Sequence, residues 1–146
     1  MEQIAHLASY LKTLEGAYAP NTLRSYYSDV RAFVDWSDQR NITSFPLISS
    51  NLSNYIEFVQ EKYSYSTIRR RISALRRINA LLGFKDDSRI ESVQFHQSFS
   101  YEDFIQGFRP KKDGSGFTLK DGVFYRFCKK ALLDPTRPYI FIIDEI

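Results

Sequence analysis

Two stretches of this sequence carry residues able to do chemistry. The first holds Arg69, Arg70, Arg71, Arg76 and Arg77, with no acid between residues 62 and 85. A guanidinium is planar, permanently charged and forked, so it suits bidentate contact with phosphates or guanine edges. Like charges at helical i,i+4 spacing repel, and a phosphate backbone would relieve that cost. An idle, solvated basic helix is the alternative reading. The second stretch is Ile140-Phe141-Ile142-Ile143 followed by Asp144-Glu145. A continuous apolar run fits a strand buried on both faces of a parallel sheet. Ligands bind at the carboxyl ends of such strands. An Asp there can hold Mg²⁺ through water, and an adjacent Glu can polarise an attacking water. A buried strand that runs into an exposed acidic turn is again the bland alternative. Cys128 is the single cysteine, and His6 and His96 are the two histidines. Neither an internal disulfide nor a zinc centre is therefore expected.

The chain that must position these residues has 146 amino acids, 43% hydrophobic and 25% charged, with six Gly and five Pro. That composition argues against disorder and fits one domain or two small ones. No apolar run is long enough for a membrane span, and the N-terminus lacks a signal-peptide layout, so no membrane partner and a cytoplasmic location are expected. The net charge is +3, but it is unevenly spread. Residues 1–90 hold twelve Lys/Arg and nine Asp/Glu, and the remainder is balanced. This asymmetry suggests two segments with different tasks.

The first segment reads as four helices. Ile4, Leu7, Ala8, Leu11 and Leu14 repeat at helical spacing, and Gly16 stops the run. Pro20-Asn21-Thr22 opens a second helix with Leu23, Tyr26, Tyr27, Val30, Phe33 and Val34 on one face and Arg24, Asp29 and Arg31 elsewhere. After Phe45-Pro46, Ser49 or Ser50 can cap a third helix that buries Leu52, Tyr55, Ile56 and Val59. Ser66 can cap the fourth, whose apolar stripe is Ile68, Ile72, Leu75, Ile78 and Leu82, with Gly83 as the left-handed stop. Its five arginines lie off that stripe and are expected to be uncompensated. Tyr63 and Tyr65 before it can reach phosphates, or simply pack at the loop.

Thr22-x-x-x-Tyr26, Phe33, Trp36, Thr67-Ile68, Ser73-Ala74-Leu75-Arg76 and Leu82-Gly83 make this segment resemble the core-binding domain of tyrosine recombinases, the phage-type integrases. The resemblance covers about residues 3–85. It implies a SAM-like four-helix bundle that clamps one side of duplex DNA with its second and fourth helices. Here that points to Arg24, Arg31, Arg69, Arg70, Arg76 and Arg77 as DNA-binding residues. The family's Arg-Lys-His-Arg-His set and nucleophilic Tyr do not follow, and His96 has no His-x-x-Arg neighbour. Strand cleavage is not expected of this chain alone.

The second segment has another texture. Val93-Gln94-Phe95 reads as a short strand, and residues 98–107 as a loop with a short helix. Residues 111–116 form a turn, with Phe117-Thr118-Leu119 as a strand beside it. Asp121 can cap a helix through about Leu132, with Val123, Phe124, Phe127 and Ala131 on one face. The run Phe-His-Gln-Ser-x-Ser-Tyr-Glu-Asp-Phe-x-x-Gly from Phe95, and its spacing to Ile142-Ile143-Asp144-Glu145, resemble the AAA+ domain of GTP-driven modified-cytosine restriction subunits of the McrB type. This resemblance covers about residues 89–146. It implies that Asp144 is the Walker-B Mg²⁺ residue and Glu145 the catalytic glutamate. The phosphate loop, Gly-x-x-x-x-Gly-Lys-Ser/Thr, is absent from the sequence, so no backbone cradle holds the β- and γ-phosphates. Mg²⁺ and ATP or GTP are expected as cofactors only if another AAA+ chain completes the site, and none otherwise.

The expected architecture is mainly α: a SAM-like bundle over residues 1–85, a junction over 86–94, and a partial α/β AAA+ fragment ending at Walker B over 95–146. The leading expectation is a double-stranded DNA-binding module without catalysis of its own, with recombinase or AAA+ chains as possible partners. An NTPase fragment of a restriction system is the second expectation. A fusion remnant or interaction protein, its terminal apolar strand left uncovered, is the third.

Overall fold

The computed structural model describes the backbone of residues 2–145 and the side chains of residues 7–9 and 11–144. About half of the chain is helical, and the chain divides into two compact units, Met1–Asp87 and Ser88–Ile146.

The first unit is built from α1 (Glu2–Thr13), α2 (Pro20–Asp38), α3 (Ser49–Gln60) and α4 (Tyr65–Leu81). The apolar stripes meet as their spacing requires. Leu7, Leu11 and Leu14 are buried from the first helix and its exit. Val30, Phe33, Val34 and Trp36 are buried from α2, Leu52, Tyr55 and Val59 from α3, and Ile72, Leu75 and Ile78 from α4. Aromatic rings form the centre. Phe33 stands edge-on to Tyr55 at 5.0 Å and to Phe45 at 6.0 Å, and Trp36 lies 5.2 Å from Tyr55. Ile4 lies outside the residues whose side chains are described.

At the helix starts one expectation of the sequence holds and two do not. Pro20 takes the first position of α2, where its missing N–H costs nothing. The N-cap of α3 is Ile48, not a serine. The Ser49 N–H instead donates to Asp87 Oδ2 at 2.8 Å, so a carboxylate 38 residues away supplies the acceptor that a local cap would have given. The cap of α4 is Ser64 rather than Ser66: its Oγ accepts from the Thr67 N–H. At the other end Gly83 does sit at φ +82°. Its N–H donates to Ala80 O, and the Phe84 N–H donates to Asn79 O, the paired bonds of a Schellman motif. Buried Asn79 closes the bundle further. Its Oδ1 accepts from the Leu47 N–H at 2.8 Å, and its Nδ2 donates to Lys85 O.

The second unit holds β1 (Ile90–Phe95), a one-turn helix α5 (Tyr101–Phe104), β2 (Gln106–Pro110), β3 (Phe117–Asp121), α6 (Val123–Leu133) and β4 (Ile140–Glu145). β1 and β4 pair in parallel, from Ile90 opposite Ile140 to Phe95 opposite Glu145. β2 and β3 form an antiparallel hairpin. Phe104 stacks on Phe124 at 4.9 Å, and Phe141 meets Phe124 and Phe127, so α5, α6 and β4 share one aromatic cluster. α5 begins with a capping box in which Ser100 and Asp103 satisfy each other's backbone N–H. Asp121 does not cap α6. Gly122 holds that position, because a Cβ there would lie 2.3 Å from the Phe104 carbonyl carbon. The Asp121 carboxylate instead accepts from Gln106 and Lys129. The parallel pairing of the apolar run agrees with its composition. Full burial does not: residues 140–144 are half-buried, because among the described strands β1 alone pairs with β4.

Candidate nucleic-acid interface

α4 presents its arginines because apolar positions repeating every three to four residues leave the flanks of the helix free for long cations. The structure corrects the expectation that all five lack compensation. Asp29 of α2, with its side chain 2% exposed, faces α4. Arg70 Nε and Nη2 donate to Asp29 Oδ2 and Oδ1, both at 3.0 Å, as a bidentate fork. Arg71 Nε lies 3.6 Å from Asp29 Oδ1, an ion pair beyond hydrogen-bond range. Arg71 Nη1 donates to Tyr55 OH at 3.0 Å, and the guanidinium lies over the Tyr63 ring at 4.1 Å. Arg76 Nη2 donates to Asp86 Oδ2 at 3.3 Å. The compensating acids were remote in sequence, so a local scan of charge along the helix could not find them.

The protonation equilibria follow from this packing. The hydrogen bond to Asp29 raises the Arg70 pKa, against a smaller opposing effect of burial. Burial acts to lower that of Arg71, but its interactions with Tyr55 and Tyr63 together reverse the direction. Burial also raises the Tyr55 hydroxyl, and Arg71 offsets part of the rise. Both guanidinium groups therefore stay charged at every accessible pH.

The remaining cations named from the sequence lie on the same unit. Arg77 stands over the Tyr18 ring at 5.7 Å, and Tyr18 in turn meets Tyr26 of α2. Arg24 is exposed and lines a shallow groove between α1 and α2 with Lys12, Glu15 and Tyr27. Arg31 lies 3.8 Å from Asp35 one turn on. Arg69 is half-buried. Asp29, Tyr55 and Asp86 are the partners the sequence reading missed. The spacing of Tyr26, Asp29 or Val30, and Phe33 does put Asp29 at the edge of the apolar face, and a buried acid needs a cationic partner. Tyr63 stays part-exposed beneath Arg71, while Tyr65 is 64% exposed.

In the second unit Asp144 stands near the carboxyl end of β4, opposite Gln94. The Glu145 side chain lies outside the described residues. Among the described residues no three His, Cys, Asp or Glu side chains gather into a cation site. The donors present do not by themselves fit Mg²⁺, which prefers several oxygen ligands including those of substrate. His96 Nδ1 and Ser98 Oγ share a hydrogen bond at the surface, and Cys128 is a half-buried free thiol.

The first unit is thus a small four-helix bundle whose second and fourth helices are joined by a buried carboxylate. The sequence pattern of the phage integrase N-terminal SAM-like domain matches residues 7–82, and the chain belongs to that family. Over 73 residues it is 30% identical to an integrase/recombinase xerD homolog of Selenomonas ruminantium, covering 50% of this chain and 21% of that protein. Over 69 residues it is 36% identical to tyrosine recombinase XerC of Halalkalibacterium halodurans, covering 46% and 22%. The chain is also 60% identical over 72 residues to the type IV methyl-directed restriction enzyme EcoKMcrB subunit of Escherichia coli K12, covering 49% of this chain and 15% of that protein. It thus spans less than a quarter of the length of each of these relatives. Among the described residues no helix is long and apolar enough to cross a membrane.

Proposed function

We propose that the first unit is a core-binding module that holds duplex DNA through its phosphates, as part of DNA integration or recombination. The observation that carries this reading is the family match over residues 7–82 on a bundle whose α2 and α4 both bear cations. Arg24, Arg31, Arg69, Arg70, Arg76 and Arg77 supply the positive surface. Arg70 can do so while its fork stays on Asp29, because half of its side chain remains exposed and Nη1 is not part of that fork. Arg24 and Arg77 have no carboxylate partner among the described residues, so phosphates would meet them at little cost. Fluorescence anisotropy with a labelled duplex, measured across a salt series, tests this. Affinity should fall steeply with salt, and each phosphate contact removed should flatten the log–log slope by about 0.9. Absence of duplex binding at low salt would end the proposal, as would an Arg24→Glu/Arg77→Glu variant that binds as well as the parent.

A second reading concerns residues 95–146, and the parallel β1–β4 pair with Asp144 near its carboxyl end favours it. On this reading the unit is the Walker-B part of an AAA+ domain. Asp144 and Glu145 would then join a Mg²⁺–ATP or Mg²⁺–GTP site only where another chain brings the phosphate loop. Isothermal titration of the chain alone with Mg²⁺–GTP and Mg²⁺–ATP should give no heat of binding. Tight binding that survives Asp144→Asn would remove this reading.

A further inference from the structure

The hairpin of the second unit has two unlike faces. Side chains alternate along a strand, so Gly107 and Arg109 share one face, and Gln106, Phe108 and Pro110 the other. The first face is occupied. A Cβ on Gly107 would lie 2.4 Å from Glu102 Cβ, and Arg109 pairs with Asp103 of α5. The second face is open. Phe108 stands opposite Leu119, and Pro110 opposite Phe117. Phe108, Phe117 and Leu119 are 66%, 67% and 52% exposed. Three large apolar side chains on one two-stranded surface form a patch that needs an occupant.

The surrounding charge says which occupant. The turn beyond Pro110 begins with Lys111-Lys112; Lys120 pairs with Gly107 and belongs to the other face. Lys111 and Lys112 are exposed, and among the described residues no carboxylate engages them. The hairpin's two acids are already committed. Asp113 accepts from the N–H and the hydroxyl of Ser115, and Asp121 accepts from Gln106 and Lys129. These bonds also hold both carboxylates below the ordinary aspartate range. The face pairs two flat aromatic rings with cations at its tip that have no acid partner among the described residues. Flat rings beside free cations are what unpaired bases and their phosphates require.

We infer that the outer face of the β2–β3 hairpin is a platform for single-stranded nucleic acid. Phe108 and Phe117 are diagonal neighbours across the register, so each can stack one base of an extended strand. Lys111 and Lys112 meet the backbone at the tip. This site is independent of the duplex-binding reading of the first unit, because it lies on other residues and takes another ligand.

The test uses the full chain and fluorescein-labelled oligo(dT) of about 16 nucleotides, within the length range of known stacking platforms. The parent should bind at low salt. Phe108→Ala and Phe117→Ala should each weaken binding about tenfold. Lys111→Glu/Lys112→Glu should weaken it and reduce its salt dependence. Duplex binding should be unchanged in these variants, while Arg24→Glu/Arg77→Glu should lose duplex and keep oligo(dT). Phe108→Trp gives a direct signal, since a stacked base quenches that indole. No oligo(dT) binding by the parent would overturn the inference. So would full affinity in the Phe108→Ala/Phe117→Ala double variant, or an effect of that variant confined to self-association in sedimentation.

Discussion

Replacing Asp29 by alanine removes a carboxylate that faces two guanidinium groups, and the two losses are unequal. Arg70 is 51% exposed, so water rehydrates it when the fork opens. The cost at Arg70 in this variant is therefore small, about 1 kcal/mol, since only its buried partner, and not Arg70 itself, was out of water. Arg71 is 12% exposed, and its Nε already has no hydrogen-bond partner. Removing one partner of a buried pair typically costs about 3–5 kcal/mol, because a charge is left uncompensated. Arg71 keeps its bond to Tyr55 and its place over Tyr63, which puts the expected loss near the low end, about 3 kcal/mol. Trp36 is the single tryptophan, and it lies buried against Tyr55, so its fluorescence reports this unit alone. With a urea slope of about 1 kcal/mol/M, the unfolding midpoint of Asp29→Ala should drop by about 3 M. Arg70→Ala should move it by about 1–3 M, because buried Asp29 loses both of the bonds of the fork and keeps Arg71 only at 3.6 Å. The argument fails if Asp29→Ala shifts the midpoint by less than about 1 M.

Asp87→Ala should cost about 1 kcal/mol in the same assay, because the Ser49 N–H at the start of α3 loses its acceptor; an unchanged midpoint would show that water replaces it. Gly122→Ala should disrupt the second unit, since its Cβ would overlap the Phe104 carbonyl; amide NMR should show lost dispersion for residues 88–145 and an intact Trp36 environment. The Asp103 carboxyl should titrate below the ordinary aspartate value of 3.8, held down first by Ser100 and then by Arg109. A depressed folded value means the stabilisation is present above 3.8 and lost as pH falls through the folded value. The capping box of α5 should therefore open only in that acid range, and a carboxyl NMR midpoint at or above 3.8 would contradict this.

The bundle was legible in the sequence because each helix buries one stripe, and stripes leave a 3.6-residue period. Leu52, Tyr55 and Val59 could be assigned from spacing alone. Caps were less legible: several serines near a helix start look alike, and geometry chose Ser64 over Ser66 and a distant Asp87 over Ser49 or Ser50. The candidate interface was half legible. Composition revealed the arginines, but only the packing of α2 against α4 revealed that Asp29 holds two of them. In the second unit, Gln-Gly-Phe-Arg-Pro carries little strand signal, and β2 exists because β3 pairs with it. Asp121 lost its expected capping role to Gly122 because the close passage of Phe104 leaves no room there for a side chain.

Asn79 sets a limit on how this bundle can drift under mutation. Positions such as Leu75 or Ile78 tolerate neighbours of similar volume, since the hydrophobic effect is not directional. Asn79 serves two backbones at once, as acceptor for Leu47 and donor to Lys85. Leucine would orphan the buried Leu47 N–H, and aspartate could not donate to Lys85. A lineage that changes this residue must therefore rebuild the loop before α3 and the segment after α4 in the same step. Those two stretches, far apart in sequence, are inherited here as a pair.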